Sequence, residues 1–527
     1  MMPKRITVFV VLLIFGISTA SLSAYGNDSA TIYIKNGQQT KSSDFSIQDD
    51  FKSIKPITST HNQYIDYSHG YSMYYPNHMS VDTTLSEVRT VIADQDTRIE
   101  IYYDNFKGTI HNADRYINYS SRFKTNKEDH TVEKDLSLQV NGLRAHLLKW
   151  QREKLESLTN DKNYYVNAKI VKNQNEVYTI FIKSAKPVQD YMTIINSFNV
   201  IEKKATPKIH TTYKATEKKL NQETRDFYNK YFLESDSLKW GIFEWTAASN
   251  YNFLNSLEER LDYNFEFIVR YQDLSTNFPM EEMMHAYNNN KYVELTLQTK
   301  HAHHSDTDDP SITYDLLNGK YDEFLNQYAR DVKEFGHPVL FRLNNEMNGD
   351  WCIYSSYFTS NDTELFKATW RYIYNIFQEN GVDNALWVWN PHDLSFPGFQ
   401  WNHYLTYYPG DQYVDIIGLT GYNPGNYFKG ESWRSFNEIY PSLYKEYSSI
   451  FQQPFMITEF GSNSFGGDKL GWIRDMFDNI DQFENIKVAI WWNGIDYDHE
   501  GNPGRIYRLD QSDEMLGIFK DGLTKYK

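Results

Sequence analysis

Cysteine is nearly absent. The 527-residue chain has one, Cys352, so no intramolecular disulfide can form and the fold must rest on its apolar core. Long apolar runs are scarce as well. Ile6 to Ile17 is too short to span a bilayer comfortably. It follows Lys4 and Arg5 and precedes small residues, with plausible cleavage after Ala20, Ala24 or Gly26. Residues 1–26 therefore read as a secretory signal peptide, and the protein as secreted, with no membrane contact after cleavage. An uncleaved anchor is the competing reading, and a lipoprotein anchor lacks its cysteine. Positive charge is in deficit: 53 Lys and Arg stand against 69 Asp and Glu, a net charge of −16. That disfavours nucleic acid as a partner and leaves a neutral polysaccharide unaffected. No Gly-rich phosphate loop occurs. No nucleophile-elbow pattern occurs either, which removes a serine hydrolase of that kind.

Aromatic residues are plentiful, at 16% with 42 Tyr and 12 Trp. Rings suit sugar stacking, but most belong in cores and strands. The 40% of hydrophobic residues supports a substantial core, and the length suits two domains. Residues 27–60 are rich in Ser, Thr, Asn, Asp and Lys and read as a polar leader. Residues 61–202 read as a small α+β domain of no assigned function. Its expected strands are Gly70–Pro76, Val88–Ala93, Arg98–Tyr103, Leu143–Arg152, Tyr164–Val171 and Val177–Lys183, with helices at Ala113–Phe123 and Val188–Phe198. Its aromatic strands serve either packing or a binding face. Lys203 to His210 is a charged connector, and Leu220 to Leu233 looks helical.

Residues 203–527 alternate strands with helices, which argues for a parallel sheet. The strands are expected at Trp240–Phe243, Phe265–Tyr271, Tyr292–Gln298, Val339–Leu343, Asn384–Trp389, Val414–Gly418, Phe455–Thr458 and Val488–Trp492. Helices are expected at Tyr321–Phe335, Glu364–Glu379 and Trp433–Tyr447. Eight such units fit a closed (β/α)8 TIM barrel, although spacing alone leaves a doubly wound sheet open. Two of the strands end alike. Val339 to Phe341 leads through Arg342 and Asn345 to Glu346, and Phe455-Met456-Ile457-Thr458 leads to Glu459 and then Gly461. Two carboxylates at the ends of buried strands are the pairing that glycoside hydrolysis requires.

Residues 338–351 and 455–461 resemble family 26 of the glycoside hydrolases, in the retaining (β/α)8 clan that cleaves plant and algal β-glycans. The resemblance spans roughly residues 238–500 and includes Gly319-Lys320-Tyr321-Asp322, Trp387-Val388-Trp389-Asn390-Pro391, Tyr408-Pro409-Gly410-Asp411, Val414-Asp415-Ile416-Ile417-Gly418 and Gly421-Tyr422-Asn423. The family usually has His before its acid/base glutamate. Here that position is Asn345, as is common across the wider clan. The resemblance implies the barrel, with Glu346 as acid/base and Glu459 as nucleophile at the ends of strands four and seven. Glu346 should have a raised pKa from partial burial and from the negative nucleophile, and a retaining pair should stand about 5–5.5 Å apart. Tyr422 matches the tyrosine that orients the nucleophile. Arg342 would supply a fixed positive charge, and Asn345 would bond the hydroxyl next to the anomeric carbon, its alternative being a turn residue bonded to local backbone. Trp351 and Trp491 match aromatic positions at the sugar site, with ordinary barrel packing as the alternative for both. Trp492 would point to the opposite face from Trp491. Trp389, Asn390 and His392 would shape a further subsite.

His301, His303 and His304 with Asp306, Asp308 and Asp309 invite a metal reading, but their spacing matches no established zinc motif. A substrate or solvent loop after strand three is the reading preferred, with no metal and no cofactor required. The expected protein is a monomeric, secreted, retaining β-glycanase acting on a β-linked polysaccharide or oligosaccharide, with β-1,4-mannan first and β-1,3-xylan or mixed-linkage β-glucan next. The rivals are a non-catalytic carbohydrate-binding protein on a barrel scaffold, and an adhesion module in the N-terminal domain with the barrel auxiliary.

Overall fold

A computed structural model describes residues 31–247, 249–301 and 309–527. The signal-peptide reading of residues 1–26 lies outside the described residues. All eight expected barrel strands are present and close on one another in sequence order. They are β1 (Lys239–Phe243), β2 (Phe267–Asp273), β3 (Tyr292–Gln298), β4 (Val339–Leu343), β5 (Ala385–Trp389), β6 (Ile416–Asn423), β7 (Phe455–Ser462) and β8 (Ile486–Trp492). Every pairing is parallel, and β8 returns to β1 through Lys239–Val488 to Phe243–Trp492. This is a (β/α)8 barrel, and the doubly wound alternative is excluded by the closure.

Inward side chains, among them Val269, Leu340, Val388, Met456 and Ile490, fill the barrel centre as a packed core. Phe227, Tyr231 and Phe232 close its lower end. They come from the helix Gln222–Tyr228 and the wider turn Asn229–Leu233, where one helix was expected over Leu220–Leu233. The outward side chains meet the surrounding helices, including Asp322–Phe335, Thr363–Glu379 and Phe436–Ile450. Between β5 and β6 the chain makes only short 3-10 turns, at Gln400–Asn402, Tyr404–Tyr407 and Asp411–Tyr413.

The N-terminal part departs from the sequence reading. It is β-rich, and it begins inside the supposed leader. Strands Ile32–Lys35, Gln38–Thr40 and Phe51–Pro56 belong to a six-stranded sheet. Polarity misled because Phe51–Pro56 carries buried charges that are paired: Lys52 contacts Asp50, and both are fully enclosed. Thr131–Val140 is a strand the sequence reading did not include; it is an exposed sheet edge, and its alternating Val132, Leu136, Leu138 and Val140 are interleaved with Glu133, Lys134 and Asp135. The expected helix at Val188–Phe198 is shorter, Tyr191–Asn196.

A seven-stranded antiparallel sheet completes this domain, and it is covered on both faces. One face, with Ile99, Ile101, Leu147, Val166 and Ile180, packs on Tyr64, Tyr71 and Met73 of the six-stranded sheet. The other face packs on the barrel: Tyr102, Trp150, Tyr165 and Phe181 share one cluster with Tyr357, Phe399 and Trp401. Each large apolar side chain buried there contributes about 1.5–3 kcal/mol. The rings read as a possible binding face are thus enclosed between domains. Charge is enclosed with them. Lys183 reaches Glu100 at 2.9 Å and Asp362 at 2.6 Å, and Arg89 reaches Glu100 at 2.9 Å. Asp362 caps the helix Thr363–Glu379, so the N-terminal domain holds the start of a barrel helix. Ions this deep are tolerated because each has a partner.

Candidate active site

β4 delivers its functional groups through an unusual turn. After Leu343 the backbone enters the left-handed region at Asn344 (φ 50°) and again at Glu346 (φ 54°), a conformation that non-glycine residues adopt at a cost. The turn is held in place: Asn344 Oδ1 accepts from the Thr299 N–H at 2.8 Å, and the Glu346 N–H donates to the Asn390 carbonyl at 2.8 Å. Glu346 is thereby aimed over the barrel mouth. Its Oε2 accepts from the Trp351 indole at 3.2 Å, and His392 Nε2 lies 3.9 Å from its Oε1. Gly349 has to lack a side chain, since a Cβ would sit 2.5 Å from the Trp351 ring.

β7 delivers Glu459 differently from expectation. The strand continues to Ser462, so Glu459 lies within it and Gly461 is a strand residue. Gly461 leaves room for Tyr507, whose ring a Cβ would meet at 3.0 Å. Leu419 of β6 pairs with Ile457 but Thr420 pairs with Glu459, so Thr458 is one residue extra on β7. Such a bulge re-aims the following side chain, and Thr458 is anchored through its hydroxyl to the Leu419 carbonyl at 3.1 Å. Glu459 then points inward and collects three donors. Arg342 Nη1 approaches its Oε1 at 2.6 Å, Asn345 Nδ2 the same oxygen at 3.3 Å, and Tyr422 Oη its Oε2 at 2.8 Å.

Arg342 is fully buried and bridges Glu459 to Glu294 of β3, which it meets at 2.6 Å. Thr296 and Asn390 accept from the same guanidinium at 2.8 and 3.1 Å. Burial pushes the Glu294 carboxyl up against the pull of Arg342. Burial likewise pushes the Glu346 carboxyl from 4.5 to about 7; the negative charge of Glu459 adds to this, while His392, the Trp351 N–H and Arg342 oppose it. A proton donor near neutrality faces a second carboxyl gripped by three donors. That arrangement can protonate a leaving oxygen on one side of a bond and attack on the other. If Glu346 must be protonated to work, kcat/KM on a natural substrate is expected to hold below pH of about 7 and to fall above it. A basic limb near the ordinary 4.5 of a glutamate, read from a pH–rate profile, would remove Glu346 from the acid role.

Of the residues singled out in the sequence, Glu346, Glu459, Arg342, Asn345, Tyr422, Trp351, Asn390 and His392 converge here. Two tryptophans do not. Trp491 is fully buried on the outer face of β8, against Phe460, Trp472 and Phe519, with its N–H on the Tyr507 carbonyl at 2.9 Å. Its neighbour Trp492 takes the inner face instead, 5.1 Å from Phe243 and 6.3 Å from Tyr422 between ring centroids. Trp389 also faces outward, against Tyr408 and Phe451. Of the metal reading, His301 bonds the hydroxyls of Tyr321 at 2.8 Å and Ser275 at 3.2 Å, while His303, His304, Asp306 and Asp308 lie outside the described residues.

Four site residues went unnoticed in the sequence. Gln298, the last residue of β3, donates to Asn345 Oδ1 at 2.9 Å and so turns the Asn345 amide toward Glu459. Tyr271 of β2 lies against Arg342, 5.4 Å from ring centroid to guanidinium carbon. Glu294 holds Arg342, and Tyr507 packs on Tyr422 at 4.9 Å. Gln298, Tyr271 and Glu294 lie on strands whose ends carried no paired motif. Gln298 and Tyr271 fall in the C-terminal halves of their strands, where barrel sites are built, but Glu294 is the third residue of β3 and carried no such signal.

Residues 280–461, which include both glutamates, match the model of glycosyl hydrolase family 26. The barrel belongs to that family. The curated relatives differ in name. The chain is 30% identical over 298 residues to Endoglucanase H of Acetivibrio thermocellus, covering 55% of this chain and 31% of that protein. It is 28% identical over 144 residues to a mannan endo-1,4-β-mannosidase of Bacillus subtilis, covering 26% and 34%. It is 30% identical over 112 residues to a β-1,3-xylanase of a Vibrio species, covering 21% and 22%. The chain thus spans about a third or less of the length of these relatives.

Proposed function

We propose that the protein is a secreted, retaining β-glycanase that cuts within a β-linked glucan by double displacement. The observation that carries this reading is the opposed environment of the two glutamates. Burial raises Glu346 to about 7, as a resting proton donor needs, while Arg342, Asn345 and Tyr422 converge on Glu459, as an oriented nucleophile needs. Glu459 attacks the anomeric carbon and forms a glycosyl-enzyme as Glu346 passes its proton to the leaving oxygen. Glu346, now a base, takes a proton from a water whose oxygen bonds the anomeric carbon, the bond to Glu459 breaks, and the sugar leaves with its configuration retained. Asn345, fixed by Gln298, is positioned to bond the neighbouring hydroxyl. The half-exposed Trp351 offers an apolar surface to a sugar ring on the Glu346 side.

Glucan stands first for two reasons. The match to Endoglucanase H runs 298 residues, against 144 for the Bacillus subtilis mannosidase. Position 345 is also Asn, where the resemblance that suggested mannan leads one to expect His. The β-1,4-mannan expected from the sequence is the second reading, favoured by the mannosidase match. The test is reducing-sugar release from lichenan, cellulose, mannan, glucomannan and β-1,3-xylan, with Glu459→Ala as control. Release from lichenan or cellulose, absent in the control, is the expected result. Release from mannan alone would replace the substrate. Binding without release from any polymer would overturn the enzymatic reading in favour of a carbohydrate-binding barrel.

A further inference from the structure

The segment 349–362 leaves β4, carries Trp351, and runs to the cap of the helix Thr363–Glu379. Much of what holds it comes from the other domain. Tyr119 donates its hydroxyl to Asp350, the residue before Trp351, and its ring packs 4.8 Å from Tyr357. The Ser120 carbonyl accepts from Asn361 Nδ2 at 2.5 Å, and the Trp150 indole donates to the Ser360 hydroxyl at 3.0 Å. Lys183 and Tyr165 reach Asp362 at 2.6 and 3.1 Å. Ser360 and Asn361 both sit at positive φ, 61° and 55°, a conformation that persists where surrounding contacts over-determine it. The next loop is held from the same side. Trp401 donates to the Ser120 hydroxyl at 3.0 Å, and the Gln400 N–H donates to Asp104 at 2.8 Å.

The grip therefore lies on the side of the barrel mouth that carries the proton donor. No comparable contact from the N-terminal domain reaches Glu459, Arg342 or Tyr422 among the described residues. We infer that the N-terminal domain is a working part of the active site: it fixes segment 349–362 so that the Trp351 indole stays on Glu346, with Tyr119 as a positioning residue. This rests on the acid/base role of Glu346 proposed above. Physically, Tyr119 and Asp350 act one residue from Trp351, and the indole N–H in turn favours the charged form of Glu346. Loosening the chain there frees the indole, and the donor loses both its orientation and a partner that steadies its carboxylate.

The test uses the full chain with Tyr119→Phe, which keeps the ring and removes the hydroxyl. Asp350→Ala and the double variant complete a cycle. On the polysaccharide, kcat in Tyr119→Phe is expected to fall on the order of 10-fold with little change in KM. The basic limb of the pH profile should rise by about 0.5 unit, and the double variant should be no worse than Asp350→Ala. A purely structural contact would lower the thermal midpoint and leave that limb in place. An independent readout is the Trp351 indole signal in [15N]tryptophan-labelled protein, assigned with Trp351→Phe. Its pH titration should follow Glu346 and move upward in Tyr119→Phe. An unchanged kcat, limb and indole titration in Tyr119→Phe would overturn the inference. A wild-type protein inactive on every polymer would sink the glycanase reading alone, because the indole titration still reports the contact.

Discussion

Glu459→Ala is expected to lower kcat on the preferred polysaccharide by on the order of 10^4-fold or more while the protein stays folded. The substitution removes the atom that would bond to the anomeric carbon, so neither displacement can proceed by the retaining route. Glu459 is almost fully buried and shares Arg342 with Glu294. Its removal leaves Arg342 one ion pair and the acceptors Thr296 and Asn390, which is why the barrel should tolerate it. Tyr422 and Asn345 each lose an acceptor, but Asn345 keeps its bond from Gln298. The measurement is initial-rate kinetics beside circular dichroism and thermal unfolding. Near-wild-type turnover would remove Glu459 from the nucleophile role. A lost fold would leave the comparison to Glu459→Gln, which preserves volume and hydrogen bonding but cannot form the covalent intermediate at a useful rate.

Glu346→Ala should separate substrates by their leaving groups. Turnover of polysaccharide, whose leaving oxygen needs a proton, is expected to fall by about 10^2–10^4-fold. A dinitrophenyl glycoside leaves without protonation, so its first step should be almost unaffected. The second step still lacks its base. The expected trace is a burst of dinitrophenolate followed by a slow phase as the glycosyl-enzyme accumulates. Stopped-flow absorbance resolves the two phases. Equal losses on the natural and the activated substrate, with no burst, would contradict the acid role. The pair of variants thus distinguishes the two carboxyls by the step each one stops.

The barrel was legible because its strands are short apolar runs separated by amphipathic helices, a pattern set by local burial. β3 and β4 begin and end where the sequence puts them, β1, β5, β7 and β8 differ at one end only, and β2 and β6 differ at both. The glutamates were legible because each follows such a run. Trp491 was not, because adjacent tryptophans on a strand face opposite ways and the sequence does not state which way the strand is turned. The strand pairing of β8 decides it, placing Trp492 inward and Trp491 among the helices. Glu459 itself depends on a device invisible in one strand alone. Only the pairing of β7 with β6 shows that Thr458 is extra and that the carboxyl is thereby turned inward.

The N-terminal domain was the least legible part, for reasons of the same kind. Its buried residues include Lys52, Glu100, Lys183 and Arg89, which look like surface charges until their partners are known. Composition by itself determined that this chain folds without disulfides. Motif and spacing pointed to a barrel and singled out two glutamates that follow its apolar runs. The tertiary structure alone decided which tryptophan faces the cleft, which side chains orient Glu459, and that a separate β-rich domain grips the segment beside Glu346. Those outcomes depend on contacts between residues far apart in the chain, and local periodicity carries no information about them.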